Sequence, residues 1–307
     1  MKASYLKLLK SGELEKRTDL ALSMLQECRM CPHECGTDRT RGEKGFCKVA
    51  ARAMVSTWGA HFGEEPPISG SQGSGTVFFS GCNMRCIYCQ NFEVSQGLEG
   101  YEVTGDLLAF FFLSLQEQGC HNINLVTPSH VVPQILEGLL IAAKEGLEIP
   151  VVYNSGGYDK VSTLGLLDGI IDIYMPDMKY SDSATGLELS KVRNYWQVCR
   201  DAVKEMFRQV GNLRTEGSGV AERGLLIRHL VLPGDLSGTA KVMEFIANRI
   251  SRDAAVNLMD QYRPCAQAFR HPPLDRPLHR KEFHRALEQA RKAGLRRVMQ
   301  FADTDRR

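Results

Sequence analysis

The stretch GTVFFSGCNMRCIYCQN, residues 75–91, sets a short apolar run, TVFFS, directly against a polar loop with cysteines at 82, 86 and 89. The same succession recurs along the chain. NINLV, PVVYN, GIIDIYM, LLIRHLVL and AVNLM are strand-type runs. Helical stretches stand between them, among them TGDLLAFFFLSLQEQG, VVPQILEGLLIAAKEG and SGTAKVMEFIANRI. Apolar strands separated by helices imply parallel pairing with helices covering the sheet. Six such repeats are too few for the eight-stranded barrel, so the residues admit an open doubly wound sheet or a partial barrel. In either, ligands sit at the C-terminal ends of the strands. Those ends lead into SGCNMRC, TPSH, NSGGYD, PDMKY, PGD and DQYRP, all rich in polar and turn-forming residues.

The sequence before residue 75 is of another kind. Residues 5–27 carry a broken helical periodicity weakened at Gly12. A polar loop with Cys28, Cys31, Cys35 and Cys47 follows, then VARAMVSTW as a further strand, then HFGEEPPISGSQGSG, read as a linker with little to bury. The expected organisation is residues 1–75 as an N-terminal helix and Cys-rich metal-binding segment, and residues 76–307 as the α/β unit.

With 307 residues the chain is long enough for a sizeable core. Lys and Arg number 38 against 36 Asp and Glu, a net charge of +2 that gives no single-signed field for nucleic acid or acidic membranes. The basic stretch with His271, His279, Arg280, Lys281, His284 and Arg285 is interrupted by acidic residues and reads as a solvated helix face. Ten cysteines are too few for a disulfide scaffold, and seven fall in two clusters, which favours metal binding in a reducing compartment. The N-terminus lacks a secretory signal, and the longest apolar stretch, LLAFFFLSL, falls far short of a membrane span, so the expected location is cytoplasmic.

Soft thiolates at Cys82, Cys86 and Cys89 favour zinc or an iron–sulfur cluster. Three protein ligands leave a position for a guest, the logic of an open site. Cys28, Cys31, Cys35 and Cys47 would instead make a closed site, zinc or an auxiliary cluster, with His33 able to replace one thiolate. Cys120, Cys199 and Cys265 are isolated and read as buried thiols.

The C-x3-C-x2-C loop after a first strand, with Tyr88 before its last cysteine, resembles the radical S-adenosylmethionine superfamily. The ordered series EEPPISG, GSGTVFFSGCN, CQN, HNINLVTP, VVYNS, DIYMPD and IRHLVLPG is similar to the branch homologous to the pyruvate formate-lyase activating enzyme. The resemblance implies a partial (β/α)6 TIM-like barrel with an N-terminal Cys-rich extension. It implies an oxidoreductase in which Cys82, Cys86 and Cys89 hold a catalytic 4Fe–4S cluster that cleaves S-adenosylmethionine to a 5′-deoxyadenosyl radical. Hydrogen would then be taken from a glycyl-radical protein, or from a small molecule or peptide, with flavodoxin or ferredoxin as electron donor. A non-catalytic metal-binding or electron-transfer protein is the reading from another class.

Asp177 and Lys179 in PDMKY and Arg228 in LLIRHLVLPG match residues near the cosubstrate in that family, and Lys179 offers a point charge to a carboxylate. Two departures stand out. Thr127, Pro128, Ser129 and His130 occupy the place of Gly-Gly-Glu, with the Thr127 hydroxyl or a backbone carbonyl as the substitute acceptor. Tyr153, Asn154, Ser155 and Gly156 replace Asp-Thr-Asn-Gly, leaving Asn154 and Ser155 as polar contacts to the cosubstrate.

Overall fold

A computed structural model describes residues 3–299; the two ends of the expected segments, residues 1–2 and 300–307, lie outside the described residues. Among the described residues ten strands are formed: β1 Ala53–His61, β2 Ser74–Phe79, β3 Tyr101–Val103, β4 Ile123–Val126, β5 Val151–Ser155, β6 Ile173–Pro176, β7 Arg214–Thr215, β8 Ala221–Leu230, β9 Ala255–Met259 and β10 Arg297–Met299. They make one sheet of order β10-β9-β8-β6-β5-β4-β2-β1-β3, with β7 paired to β8. From β2 through β4, β5, β6, β8 and β9 to β10 every pairing is parallel. β1 runs antiparallel to both β2 and β3, and β7 antiparallel to β8. The fold is mixed α/β, with a mostly parallel central sheet flanked by helices. All six apolar runs of the sequence lie in this parallel stretch, to which β10 adds a further strand.

Burial on both faces explains the apolar runs: every residue of β5 and of β6 is buried. Side-chain alternation then divides the sheet into two cores. On the helix side lie Val151, Tyr153, Tyr174, Leu225, Ile227, Val256 and Leu258, with the helices packed over them. On the other side Val152, Ile173, Met175, Leu226 and Ala255 form a separate small cluster with Ile68, Leu213 and Ala221.

The helices follow their local signals. Helix Gly105–Glu117 starts where the Thr104 hydroxyl accepts from the Leu107 N–H, and it buries Leu108, Phe111, Phe112 and Leu115 at helical spacing. It meets helix Val132–Lys144 at Gly138, where a Cβ would stand 2.7 Å from that of Leu108, so only glycine permits this approach. Near the N-terminus the periodicity breaks at Gly12 (φ +73°) into helices Tyr5–Lys10 and Glu13–Ser23. Tyr5, Leu14 and Ala21 join the helix-side core. Among the described residues no helix is long and apolar enough to cross a membrane.

The Pro/Gly/Ser-rich stretch after β1 departs from its reading as a segment with little to bury. Pro66 and Pro67 open a one-turn helix, Pro66–Ser69, in which Ile68 and Ser69 are buried, as is the preceding Glu65. Asn122 fastens this turn by donating to the Ile68 carbonyl at 2.8 Å while accepting from the Ser74 hydroxyl at 2.7 Å. Ile68 thus becomes a plug for the small core.

Candidate ligand site at the strand ends

Alternation fixes which side chains meet at the C-terminal ends of the strands. Asn154 shares a face with Val152, Arg228 with Leu226, Asn257 with Ala255, and Asp177 follows Met175 just past β6. Asp177 and Lys179 are joined at 2.6 Å, and the Arg228 Nε donates to the other Asp177 oxygen at 2.8 Å. The Arg228 Nη2 donates to the Asn154 side-chain carbonyl at 2.6 Å, and its Nη1 lies 3.9 Å from Glu65. Asn257 donates to Glu65 at 2.9 Å. Four strand ends and the segment before β2 therefore converge on one network.

The electrostatics follow from this arrangement. Burial alone would raise Asp177, but Arg228 and Lys179 outweigh it and hold the carboxyl below the usual aspartate range. Burial would likewise lower Lys179 and Arg228, yet Asp177 keeps both above their ordinary values. Glu65 is pushed upward by burial, opposed by Arg228. Its second oxygen and the Asn257 side-chain carbonyl have no hydrogen-bond partner.

Ser155 and Thr127 are arranged differently. Ser155 points to the helix side with Tyr153 and donates to Asp159 at 2.6 Å; Ser129 and Tyr153 donate to the same carboxylate at 2.6 Å and 3.0 Å. Ser155 is thereby separated from Asn154, its neighbour in sequence. Thr127 sits in a left-handed conformation (φ +62°), and its N–H donates to the Asn154 backbone carbonyl at 2.9 Å. Glu65, Asn257 and Asp159 were not singled out from sequence. The one local signal was at Glu65, an acid directly before Pro-Pro, the pattern of a helix start.

The three-cysteine loop covers the same strand ends, with Met84 buried against Gly156, where a Cβ would come within 2.7 Å of the Met84 sulfur. Each of its thiols faces a partner of its own. Cys82 accepts from the Met84 N–H at 3.3 Å, Cys86 from the Ser190 hydroxyl at 3.0 Å, and Cys89 lies 3.2 Å from the Ser95 hydroxyl. Burial pushes the Cys82 and Cys86 thiols up, toward the neutral form. In the N-terminal loop burial pushes Cys31 up to about 12 and also raises Cys47. There the Cys35 sulfur accepts from the Phe46 N–H at 3.4 Å, and Cys28 lies 4.0 Å from the buried Arg39 guanidinium. His33 stacks on Phe46 with ring centroids 3.8 Å apart and contacts the Asn83 carbonyl at 2.9 Å. Among the described residues no group of three or more His, Cys, Asp or Glu side chains is placed to hold a metal ion. Of the isolated cysteines, Cys120 and Cys199 are buried and Cys265 is half-buried.

The uncharacterized protein MJ0674 of the archaeon Methanocaldococcus jannaschii is 30% identical to this chain over 297 residues, covering 94% of the chain and 82% of the relative. The chain belongs to the family of that protein. No family model matches it.

These findings correct the reading based on resemblance. With no matching family model, and no side-chain group placed to hold a metal, the identification with the radical S-adenosylmethionine superfamily and its activating-enzyme branch is overturned. The 4Fe–4S cluster on Cys82, Cys86 and Cys89, the S-adenosylmethionine cosubstrate and the second metal on Cys28, Cys31, Cys35 and Cys47 fall with it. So do the oxidoreductase assignment, hydrogen abstraction from protein, peptide or small molecule, and the alternative of a metal-binding electron-transfer protein. The electron donor and the glycyl-radical partner were consequences of that chemistry and have no separate support. In the three-cysteine loop each sulfur meets a local polar group instead: the Met84 N–H at Cys82, the Ser190 hydroxyl at Cys86 and the Ser95 hydroxyl at Cys89.

Proposed function

We propose that the chain binds a small carboxylate-bearing metabolite at the C-terminal end of the parallel sheet, on the concave face of a partial (β/α)6 TIM-like barrel. The observation that carries this is the Asp177–Lys179–Arg228–Asn154 network. Lys179 has three donors, of which Asp177 takes one; Arg228 has five, of which Asp177 and Asn154 take two. The two cations hold the Asp177 carboxyl below its usual range, and Glu65, pushed upward by burial, lies 3.9 Å from Arg228. A ligand carboxylate would use the spare donors, in the charge-assisted pairing these groups favour. Asn154 orients the guanidinium, and the Thr127 hydroxyl stands at the adjacent strand end. The barrel reading is supported by a parallel strand order that follows the chain without reversing, unlike a doubly wound sheet, and by the small second core plugged by Ile68.

Ligand-observed NMR against small mono- and dicarboxylates, including succinate, glutamate and citrate, tests the proposal. At least one should bind, and Lys179→Met should weaken it by about tenfold, the usual worth of one charged hydrogen bond. Absence of any binder, or binding indifferent to Lys179→Met, would refute it.

A further inference from the structure

On the outer side of the three-cysteine loop lies a cleft of about 490 Å³, within the roughly 300–1,000 Å³ usual for small-ligand sites. One wall is aromatic: His33 stacks on Phe46, whose opposite face carries the Arg85 guanidinium 5.0 Å from its centroid. Tyr158 meets the His33 ring edge-on at 5.5 Å and is backed by Tyr195, stacked at 6.3 Å. The rings are therefore fixed before any ligand arrives. The same cleft is lined by Lys191 and Arg193, both exposed, and among the described residues no carboxylate lines it. Among the described residues Lys191 donates to the Glu188 backbone carbonyl, at 2.8 Å, and neither Lys191 nor Arg193 makes an ion pair.

The backbone that presents these cations is unusual. Lys191 (φ +58°) and Asn194 (φ +53°) are both non-glycine residues in the left-handed region, and they bracket Arg193 between helices Ser183–Ser190 and Tyr195–Val210. Both are cap positions, Lys191 closing the first helix and Asn194 preceding the second. Aromatic rings and two cations without an acidic partner on one cleft match a molecule that is flat at one end and anionic at the other.

We propose that this cleft is a second binding site, for a mononucleotide-sized phosphate ester of a planar heterocycle. The heterocycle lies against His33, whose ring is buttressed by the buried Tyr158, and the phosphate is held by Lys191 and Arg193. The site is separate from the strand-end network and does not depend on its occupant. It adjoins the three-cysteine loop, because His33 contacts the Asn83 carbonyl and Asn83 donates to the Tyr158 carbonyl at 2.6 Å.

Calorimetric titration of the full chain with AMP, adenosine and ribose 5-phosphate tests this. AMP should bind once per chain, and each fragment about tenfold or more weaker, since each lacks one half of the recognition. The double variant Lys191→Asn, Arg193→Gln should weaken AMP by about tenfold or more and leave adenosine unchanged. Asparagine tolerates the left-handed backbone at 191, and an unchanged melting temperature confirms the variant is folded. Lys179→Met should leave AMP binding as it is, which separates this site from the strand-end site. No binding of AMP at about millimolar concentration, ribose 5-phosphate binding as tightly as AMP, or a double variant that binds AMP like the parent would overturn the proposal.

Discussion

Two carboxylates, the buried Asp159 and the half-buried Asp177, lie on opposite faces of the same sheet and are satisfied by opposite chemistry. Asp159, on the helix side, is surrounded by the hydroxyls of Ser129, Tyr153 and Ser155. These neutral donors do not offset the loss of water, so burial raises it above the ordinary aspartate value. Asp177, on the other face, has Lys179 and Arg228 against it, which more than cancel the same penalty. The first arrangement is saturated and serves to join the ends of β4 and β5. The second holds charge with spare donors, which is what a ligand requires.

The largest effect should come from breaking the charged side of this pair. Asp177→Asn leaves two mostly buried cations without their shared partner and should cost about 4 kcal/mol, read from urea denaturation. Ile68→Ala should cost about 3 kcal/mol by opening a cavity in the small core. A much smaller loss would mean that this core does not support the charged face.

Asp159→Asn should cost about 2 kcal/mol, because one amide edge then faces hydroxyl donors. It also tests the sign of the titration. The raised carboxyl holds its proton more tightly in the folded chain, so its contribution to stability falls as pH rises above the ordinary value of 3.8. The depressed Asp177 contributes stability that is present above 3.8 and lost as pH falls. Urea midpoints between about pH 4 and pH 7 should therefore fall less with rising pH in Asp159→Asn than in the parent. Equal slopes in the two proteins would show that Asp159 is not raised.

The smallest effect sharpens the contrast between faces. Asn154→Ala should weaken carboxylate binding by about fivefold, while Ser155→Ala should cost about 1 kcal/mol of stability and leave binding unchanged. Equal effects on binding would mean that alternation does not separate the two residues.

Much of the sheet was legible because buried parallel strands leave continuous apolar runs, and all six that the sequence offered are strands. Arg228 could be placed for a related reason, since a charge in an apolar run must sit at an end or a cavity, whereas Asp177, Lys179 and Asn154 were singled out through the family resemblance alone. Ser155 was grouped with Asn154 because adjacency in sequence hides a period of two. Glu65 and Ile68 were missed because Pro and Gly around them mimic a linker, while their burial comes from strands far along the chain. β3 and β10 are too short to leave a pattern. The cysteines misled in the opposite way. Spacing states which thiols could share a metal, but it does not place them around one.

Arg39 carries a consequence for the order in which the chain assembles. Its buried guanidinium is held by two carbonyls, that of Ala50 at 2.9 Å and that of His130 at 2.7 Å, the second 91 residues further on. On the ribosome the Cys-rich loop is made early, yet this charge lacks one of its two acceptors until β4 and the turn beyond it have been synthesised. The first cysteine loop to emerge is therefore among the last parts able to close.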